Sequence, residues 1–256
     1  MNVIDCPTPN ISANASPSLD PESPLYNRYT GLRVGIARSD ADLSAVYHLR
    51  YQAYLAQGAI EPKPVARFID RYDLTQTALQ LMVTEHGRLV GALRLAFQPP
   101  TGVGIADYPS SPEFIVFPDV LDRLDYRDRP ISSGSRLCIE DGHPKRSQIA
   151  LLLMMALIYG SYGAGAGWGI ASARGSHVAF YRRILMMDPM CDERPMPGLN
   201  LTYRLMATDV MAHLQTRLSK VPTDCRWFFE AAHPTWGQDV RDALPTIARG
   251  EPAWAA

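Results

Sequence analysis

Arg50 stands on the apolar stripe of a helical pattern, three residues after Tyr47 and four before Tyr54. A guanidinium in that setting must be paired or must meet a substrate carboxylate. The plain alternative is a surface Arg that lays its stem on apolar neighbours and its head in water. Asp70 and Asp73 flank Tyr72 in Arg67-Phe68-Ile69-Asp70-Arg71-Tyr72-Asp73. Two carboxylates three apart could hold an ammonium group or pair with Arg50, or they could cap a solvated loop. In Val90 to Phe97 the residues alternate, which puts Ala92, Arg94 and Ala96 on one strand face and Leu93, Leu95 and Phe97 on the other. Arg94 between two alanines looks into a small space fit for a carboxylate or phosphate, or else lies on an exposed strand face. Ser135 and Arg136 open another strand pattern, in which Arg136 could pair with Glu140. His177 and Tyr181 are four apart at a helix start and share a face, so one could serve as a base and the other as an acid, or His177 could simply cap or pack.

These residues need elements to hold them. Leu32 to Ala37 reads as a strand, and Ser39 or Asp40 caps a helix to about Gln57. A loop-like stretch covers 61–78. Strands Leu79 to Glu85 and Leu89 to Phe97 meet at His86-Gly87, a hairpin signal. A Pro-rich excursion runs from Pro99 to Pro130, with a short helix near Pro118 to Leu124. Then come a strand (Arg136 to Glu140), a helix that is apolar nearly all round (Ser147 to Tyr162), a strand (Trp168 to Ala173), a helix (Ser176 to Leu185), a strand (Leu199 to Ala207) and a helix (Thr208 to Lys220). That order predicts an α/β fold, a mixed central sheet with helices on both faces, and it is similar to the N-acetyltransferase-like folds, where an acyl donor enters between two splayed strands. Residues 1–28, rich in Pro, Ser and Asn, are expected to form a disordered tail, 29–220 the domain, and 221–256 an extension whose Trp227, Phe228, Phe229, Trp236 and Trp254 wrap the domain.

Composition narrows the classes. Of 256 residues 46% are hydrophobic, enough for a full core, and a net charge of -1 excludes the basic balance of a nucleic-acid binder. The four cysteines form no C-x-x-C pair, which argues against a zinc site or a disulfide framework and fits a reducing cytoplasm. No signal peptide is legible, and the most apolar run, Ile149 to Tyr159, is too short for a transmembrane segment.

Taken in order, Leu49-Arg50-Tyr51-Gln52-Ala53-Tyr54, Gly58-Ala59-Ile60-Glu61-Pro62, Phe68 to Asp73, Gly87 to Leu95, Phe117-Pro118-Asp119 and Ser135-Arg136-Leu137 resemble the N-acyl amino acid synthases, relatives of the acyl-homoserine-lactone synthases. The resemblance spans roughly residues 32–207. It implies an acyltransferase that moves a long-chain acyl group from acyl carrier protein to an amino-acid acceptor, with no permanently bound cofactor. Arg50, Asp70, Asp73, Arg94 and Arg136 match the family's polar site residues. Backbone amides from Ser135 to Cys138 would bind the oxyanion, Tyr181 would reprotonate the leaving thiolate, and Asp70 and Asp73 would hold the acceptor amine. An apolar tunnel, or else plain core, would involve Leu151 to Ile158 and the Phe97 strand.

Two departures matter. The lactone synthases carry a glutamate two residues before the Ser of the Ser-Arg pair, where this chain has Ser133; that leaves the base open, with water, Asp70 and Asp73 as candidates. The paired glycines with which acetyl-CoA-dependent relatives cradle a pyrophosphate are missing from Gly142 to Ala150, although Lys145 and Arg146 are there. That predicts a donor presented as acyl-phosphopantetheine, with its single phosphate near Lys145 and Arg146. A lactone synthase, an ornithine-type lipid N-acyltransferase, and a non-catalytic module that binds an acyl carrier or lipid are the alternatives.

Overall fold

The computed structural model describes residues 26–27, 31–100, 109–124, 129–217 and 233–244. In chain order the elements are β1 (Tyr26–Asn27), β2 (Leu32–Ile36), α1 (Asp40–Ala56), β3 (Ala78–Glu85), β4 (Arg88–Gln98), α2 (Glu113–Val116), α3 (Pro118–Leu121), β5 (Ile131–Ile139), α4 (Arg146–Gly163), β6 (Trp168–Ala173), α5 (Val178–Leu185), β7 (Asp188–Pro189), β8 (Arg194–Pro195), β9 (Thr202–Asp209), α6 (Val210–Arg217) and α7 (His233–Ala243). The strands form a mixed sheet in the order β1-β2-β3-β4-β5-β6-β9-β7, with β8 beside β9. Only the β5–β6 pair is parallel among the described strands.

Local chemistry sets the elements that carry the site. Ser39 caps α1: its hydroxyl accepts from the Asp42 amide and the Asp42 carboxylate accepts from the Ser39 amide, both at 3.1 Å. The β3–β4 turn uses positive φ at His86 and Gly87, the geometry a two-residue hairpin requires. Helix α4 is apolar all round because it is covered all round. One side lies on the sheet and the other meets Trp236, Val240 and Leu244 of the C-terminal segment. Gly91 and Gly134 let α4 press onto the strand backbone, since a Cβ there would stand 2.4 Å from Ile149 and 2.6 Å from Leu157.

The two faces of the sheet differ. Leu93, Leu95 and Phe97 join α4 in the larger core, whereas Ala92, Met82 and Cys138 pack under α1. Helices α2 and α3 cover the same face as α1 further along, around Phe117, Leu121 and Ile170. Leu152 to Ile158 and Phe97 are buried core between the sheet and α7, and Leu151 is half-buried beside them, so the plain-core reading describes this stretch.

Several boundaries move. Tyr26–Asn27 pairs with β2, inside the stretch expected to be a disordered tail. Residues 1–25 lie outside the described residues, as do Trp227, Phe228, Phe229 and Trp254. Helix α7 belongs to the main core: Trp236 is 1% exposed and donates its Nε1–H to the Ala156 carbonyl at 2.8 Å. Strand β5 starts at Ile131, five residues before Arg136, because Ser132-Ser133-Gly134-Ser135 has too little β-branched character to announce a strand.

Candidate active site

Strands β5 and β6 pair from Ile131↔Trp168 to Gly134↔Ala171 and then part. Beyond Gly134 the β6-facing edge of β5 has no strand partner among the described residues. Just past the split, β5 carries a bulge. Ala92 and Arg94 on β4 face Cys138 and Ser135, so two residues of β5 oppose one of β4. Arg136 takes up the distortion with φ 59°, a left-handed conformation that a bulky residue adopts only where its surroundings impose it. The bulge turns Ser135 and Arg136 toward the α1 face together, where alternation alone would have separated them.

There the site assembles around Asp70 and Asp73, on a 3-10 turn at Arg71–Leu74. Asp73 accepts four hydrogen bonds: from Arg50 Nη1 at 2.8 Å, the Asp70 amide at 2.9 Å, Gln80 Nε2 at 3.0 Å and Arg94 Nη1 at 3.1 Å. Asp70 also accepts four, from Arg94 Nη1 at 2.6 Å, the Tyr72 amide at 2.9 Å, and Arg136 Nε and Nη2 at 3.0 and 2.6 Å. A carboxylate offers about four lone-pair positions, so both are full. Arg94 Nε donates to the Ser135 hydroxyl at 3.0 Å, and Arg50 Nη2 donates to Gln80 Oε1 at 2.7 Å. Aromatic rings wall the guanidiniums: Arg50 lies over Tyr47, Arg94 over Tyr72, and Arg136 over Phe68 and Tyr54.

The electrostatics follow from burial. Arg50 and Arg94 are 1% and 0% exposed, so neither is a surface arginine. Burial alone would raise the Asp70 carboxyl, but Arg94 and Arg136 overcome it and hold the group well below the usual carboxylate range. The Tyr47 phenol is pushed up to about 12 by burial and by Asp73. Three guanidiniums face two carboxylates, which leaves one excess positive charge. Arg94 Nη2 and Arg50 Nε are buried with no hydrogen-bond partner, and Arg136 Nη1 has none among the described residues.

The remaining expected residues fall as follows. Tyr181 is buried, and burial first, then Tyr54, Glu113 and Tyr203, pushes its phenol far up. His177 sits in a 3-10 turn before α5 and is exposed, so the two do not share a face. Arg136 does not pair with Glu140, which instead bonds Arg88. Lys145 is committed: its Nζ meets Glu85 Oε1 at 2.6 Å, beside His143 on Glu85 Oε2 at 3.1 Å. Arg146 remains exposed at the start of α4 and, with Arg174, lies close enough to His177 to help partial burial lower its pKa.

One group escaped the sequence reading. Glu113, at the start of α2, is 1% exposed and accepts from Ser172 Oγ at 2.7 Å and Ser133 Oγ at 3.2 Å. The signal was an acidic residue directly before the apolar run Phe114 to Phe117, in a segment that read as loop.

Splayed central strands, a bulged β5 and a polar cluster over the split define an acyltransferase of the N-acetyltransferase-like fold. The sequence profile of the N-acyl amino acid synthase FeeM family matches residues 45–209. The chain belongs to that family. Solved structures agree in fold: FeeM, an N-acyl amino acid synthase from uncultured soil microbes, superposes with TM-score 0.58 at 12% identity over 72% of this chain and 93% of its own. The acyl-homoserine-lactone synthase LasI gives 0.50 at 17% over 71% and 91%, and the CoA-dependent acyl-homoserine lactone synthase BjaI gives 0.51 at 19% over 75% and 83%. Among curated protein sequences none matches the chain. No helix among the described residues is long and apolar enough to cross a membrane.

Proposed function

We propose that this N-acyltransferase moves a long-chain fatty acyl group from the phosphopantetheine arm of acyl carrier protein to the α-amine of an amino acid. The observation that carries the reading is the arginine-rich cluster beside the strand split. Its excess positive charge and unfilled N–H groups on Arg94 and Arg136 suit the carboxylate of an amino-acid acceptor.

In this reading Asp70 and Asp73 do not grip the acceptor amine, because their lone pairs are spent on the cluster. They instead lock Arg50, Arg94 and Arg136 in place, with Ser135 fixing Arg94. The thioester lies in the split, where the partnerless amides of β5 polarise its carbonyl and take up the oxyanion charge. The amine attacks, the C–N bond forms, the C–S bond breaks, and Tyr181, kept protonated by its burial, gives its proton to the leaving sulfur.

The start of α4 supports the carrier-protein donor. A pyrophosphate cradle needs free amides at a helix N-terminus. Here Pro144 has none, the Lys145 amide donates to His143 Nδ1 at 3.1 Å, and the Arg146 amide donates to the His143 carbonyl at 3.1 Å. Arg146 is left to meet a single phosphate or an acidic carrier surface; Lys145, neutralised by Glu85, is a weaker candidate. The thiols of Cys138 and Cys191 are unpaired, which supports a reducing, cytoplasmic setting.

The test is a product screen. Expression in a bacterium that supplies acyl carrier protein, followed by mass spectrometry of organic extracts, should yield N-acyl amino acids. An acyl homoserine lactone would reassign the acceptor. No product from folded protein given purified long-chain acyl carrier protein and a full amino-acid mixture would overturn the transferase reading.

A further inference from the structure

An amine held as ammonium cannot attack a thioester until it loses a proton, so the reaction proposed above needs a base at the strand split. Asp70 and Asp73 are saturated by four donors each, and Arg94 and Arg136 hold the Asp70 carboxyl well below the usual range, so neither offers a free lone pair for a proton. His177 is exposed on the turn before α5, and His143 is bound to Glu85. Glu113 differs from all of these. No cation pairs with it among the described residues, and its two oxygens accept only serine hydroxyls.

Its position is specific. Pairing of β5 with β6 ends at Gly134↔Ala171. Ser133 lies one residue before that point on β5 and Ser172 one residue after it on β6, and Glu113 bridges the two. The carboxylate therefore sits at the apex of the split, on the α1 face where Ser135 and Arg136 also point. Tyr181 lies within electrostatic reach of it from α5. A buried carboxylate is retained only where its hydrogen bonds are made or its charge is used. Two hydroxyl bonds leave two of its lone-pair positions open to a third partner.

We infer that Glu113 is the general base of the reaction, held by Ser133 and Ser172 so that it takes a proton from the acceptor's ammonium group at the apex of the β5–β6 split. This rests on the N-acyltransferase reading. The proton balance closes. Glu113 takes the first proton, the neutral amine forms the C–N bond, and the C–S bond breaks with the electron pair leaving on sulfur. Tyr181 protonates the thiolate and recovers its proton from the nitrogen, which ends as an amide N–H. Glu113 releases its proton to water as product departs, so one proton is freed per turnover.

The test compares two nucleophiles with one donor, the decanoyl thioester of pantetheine. An amino-acid mixture supplies ammonium groups that must be deprotonated, whereas hydroxylamine is already neutral near neutral pH. Glu113→Gln keeps the shape, and its amide can still bond both serines. Loss of general-base catalysis should lower amide formation by about 10²- to 10⁴-fold, while hydroxamate formation falls less than about threefold on the same scale. Ser172→Ala, which removes one hydroxyl from the carboxylate, should slow amide formation about fivefold with hydroxamate again spared. If Glu113→Gln melts well below the wild type, the serine variant carries the same comparison. Equal loss with both nucleophiles makes Glu113 structural and overturns the inference, as does amide formation at wild-type rate. Wild-type protein that acylates neither nucleophile, from this thioester or from purified acyl-loaded acyl carrier protein, overturns the transferase reading itself. Wild-type protein that acylates both, beside a Glu113→Gln variant that acylates both in the wild-type ratio of rates, overturns only the base.

Discussion

Asp73→Asn isolates what the buried cluster contributes to the fold. The side chain keeps its shape but loses its charge and one accepting oxygen. Four donors converge on Asp73, two on each oxygen. Whichever way the new amide turns, its NH₂ faces two of them: Arg50 with the Asp70 amide, or Arg94 with Gln80. Arg94 still has Asp70, so it is not stranded. Arg50 loses its anion either way: at 1% exposure it would keep neutral acceptors alone, Gln80, the Phe68 carbonyl and, in one orientation, the Asn oxygen. Removing one partner of a buried ion pair costs about 3–5 kcal/mol, and those neutral contacts put this site at the lower end, about 3 kcal/mol. Against a total stability of about 5–15 kcal/mol that is a large loss. For a domain of this size it should lower Tm by roughly 6–12 °C. Urea unfolding followed by circular dichroism measures it. Arg50→Met combined with Asp73→Asn should cost less than the two changes summed, with a coupling of about 0.5–3 kcal/mol. A single-mutant shift under about 1 kcal/mol, or an additive cycle, would refute the picture of a dry, mutually paired cluster.

Three further outcomes follow from the same geometry. Arg136→Lys keeps the charge but loses the two-point grip on Asp70 and the stacking on Phe68, so KM for the amino acid should rise about tenfold with Tm nearly unchanged; an unchanged KM removes Arg136 from acceptor binding. Tyr181→Phe should slow transfer about 10²-fold from an alkyl thioester but barely from an aryl thioester, whose thiolate leaves unaided; equal loss with both donors argues against an acid role. The folded Asp70 carboxyl titrates below its ordinary 3.8, so the stability it confers is fully present above that value and is lost as the pH falls below it toward the lower folded value. Acid unfolding titrations should therefore be flatter for Asp70→Asn, itself less stable at neutral pH, and parallel curves would contradict the ion-pair assignment.

Periodicity reported the fold where each element buries one clean face. The alternation of Leu93, Leu95 and Phe97 against Ala92, Arg94 and Ala96 is the α4-versus-α1 sidedness seen in the sheet. The all-apolar α4 is a helix covered on both sides. What periodicity could not report is β5 before Arg136, where serine and glycine occupy the strand because α4 and Glu113 crowd it from opposite faces. Nor could it report α7, whose Trp236 and Val240 find their partners only across a long gap in sequence.

The site divides the same way. Arg50, Asp70, Asp73 and Arg94 were legible because a charge in an apolar pattern demands a partner, and each supplied the other's. Arg136 was legible as a residue but not in its direction, since a bulge cannot be read from alternation. Ser133 carries two messages. In sequence it is a carboxylate missing from the place where the lactone synthases have one, which leaves the base open among water, Asp70 and Asp73. In space its hydroxyl donates to Glu113, arriving from α2. A glutamate at 133 would set a second carboxylate against the first with no cation between them, and like charges that close cannot both stay ionised. Position 133 and position 113 therefore constrain each other: a hydroxyl on β5 is what allows the carboxylate to come from α2. Ser133→Glu should then fail to improve the enzyme in its native form, and should restore activity to Glu113→Gln if the apex of the split, rather than the element that reaches it, is what the chemistry requires.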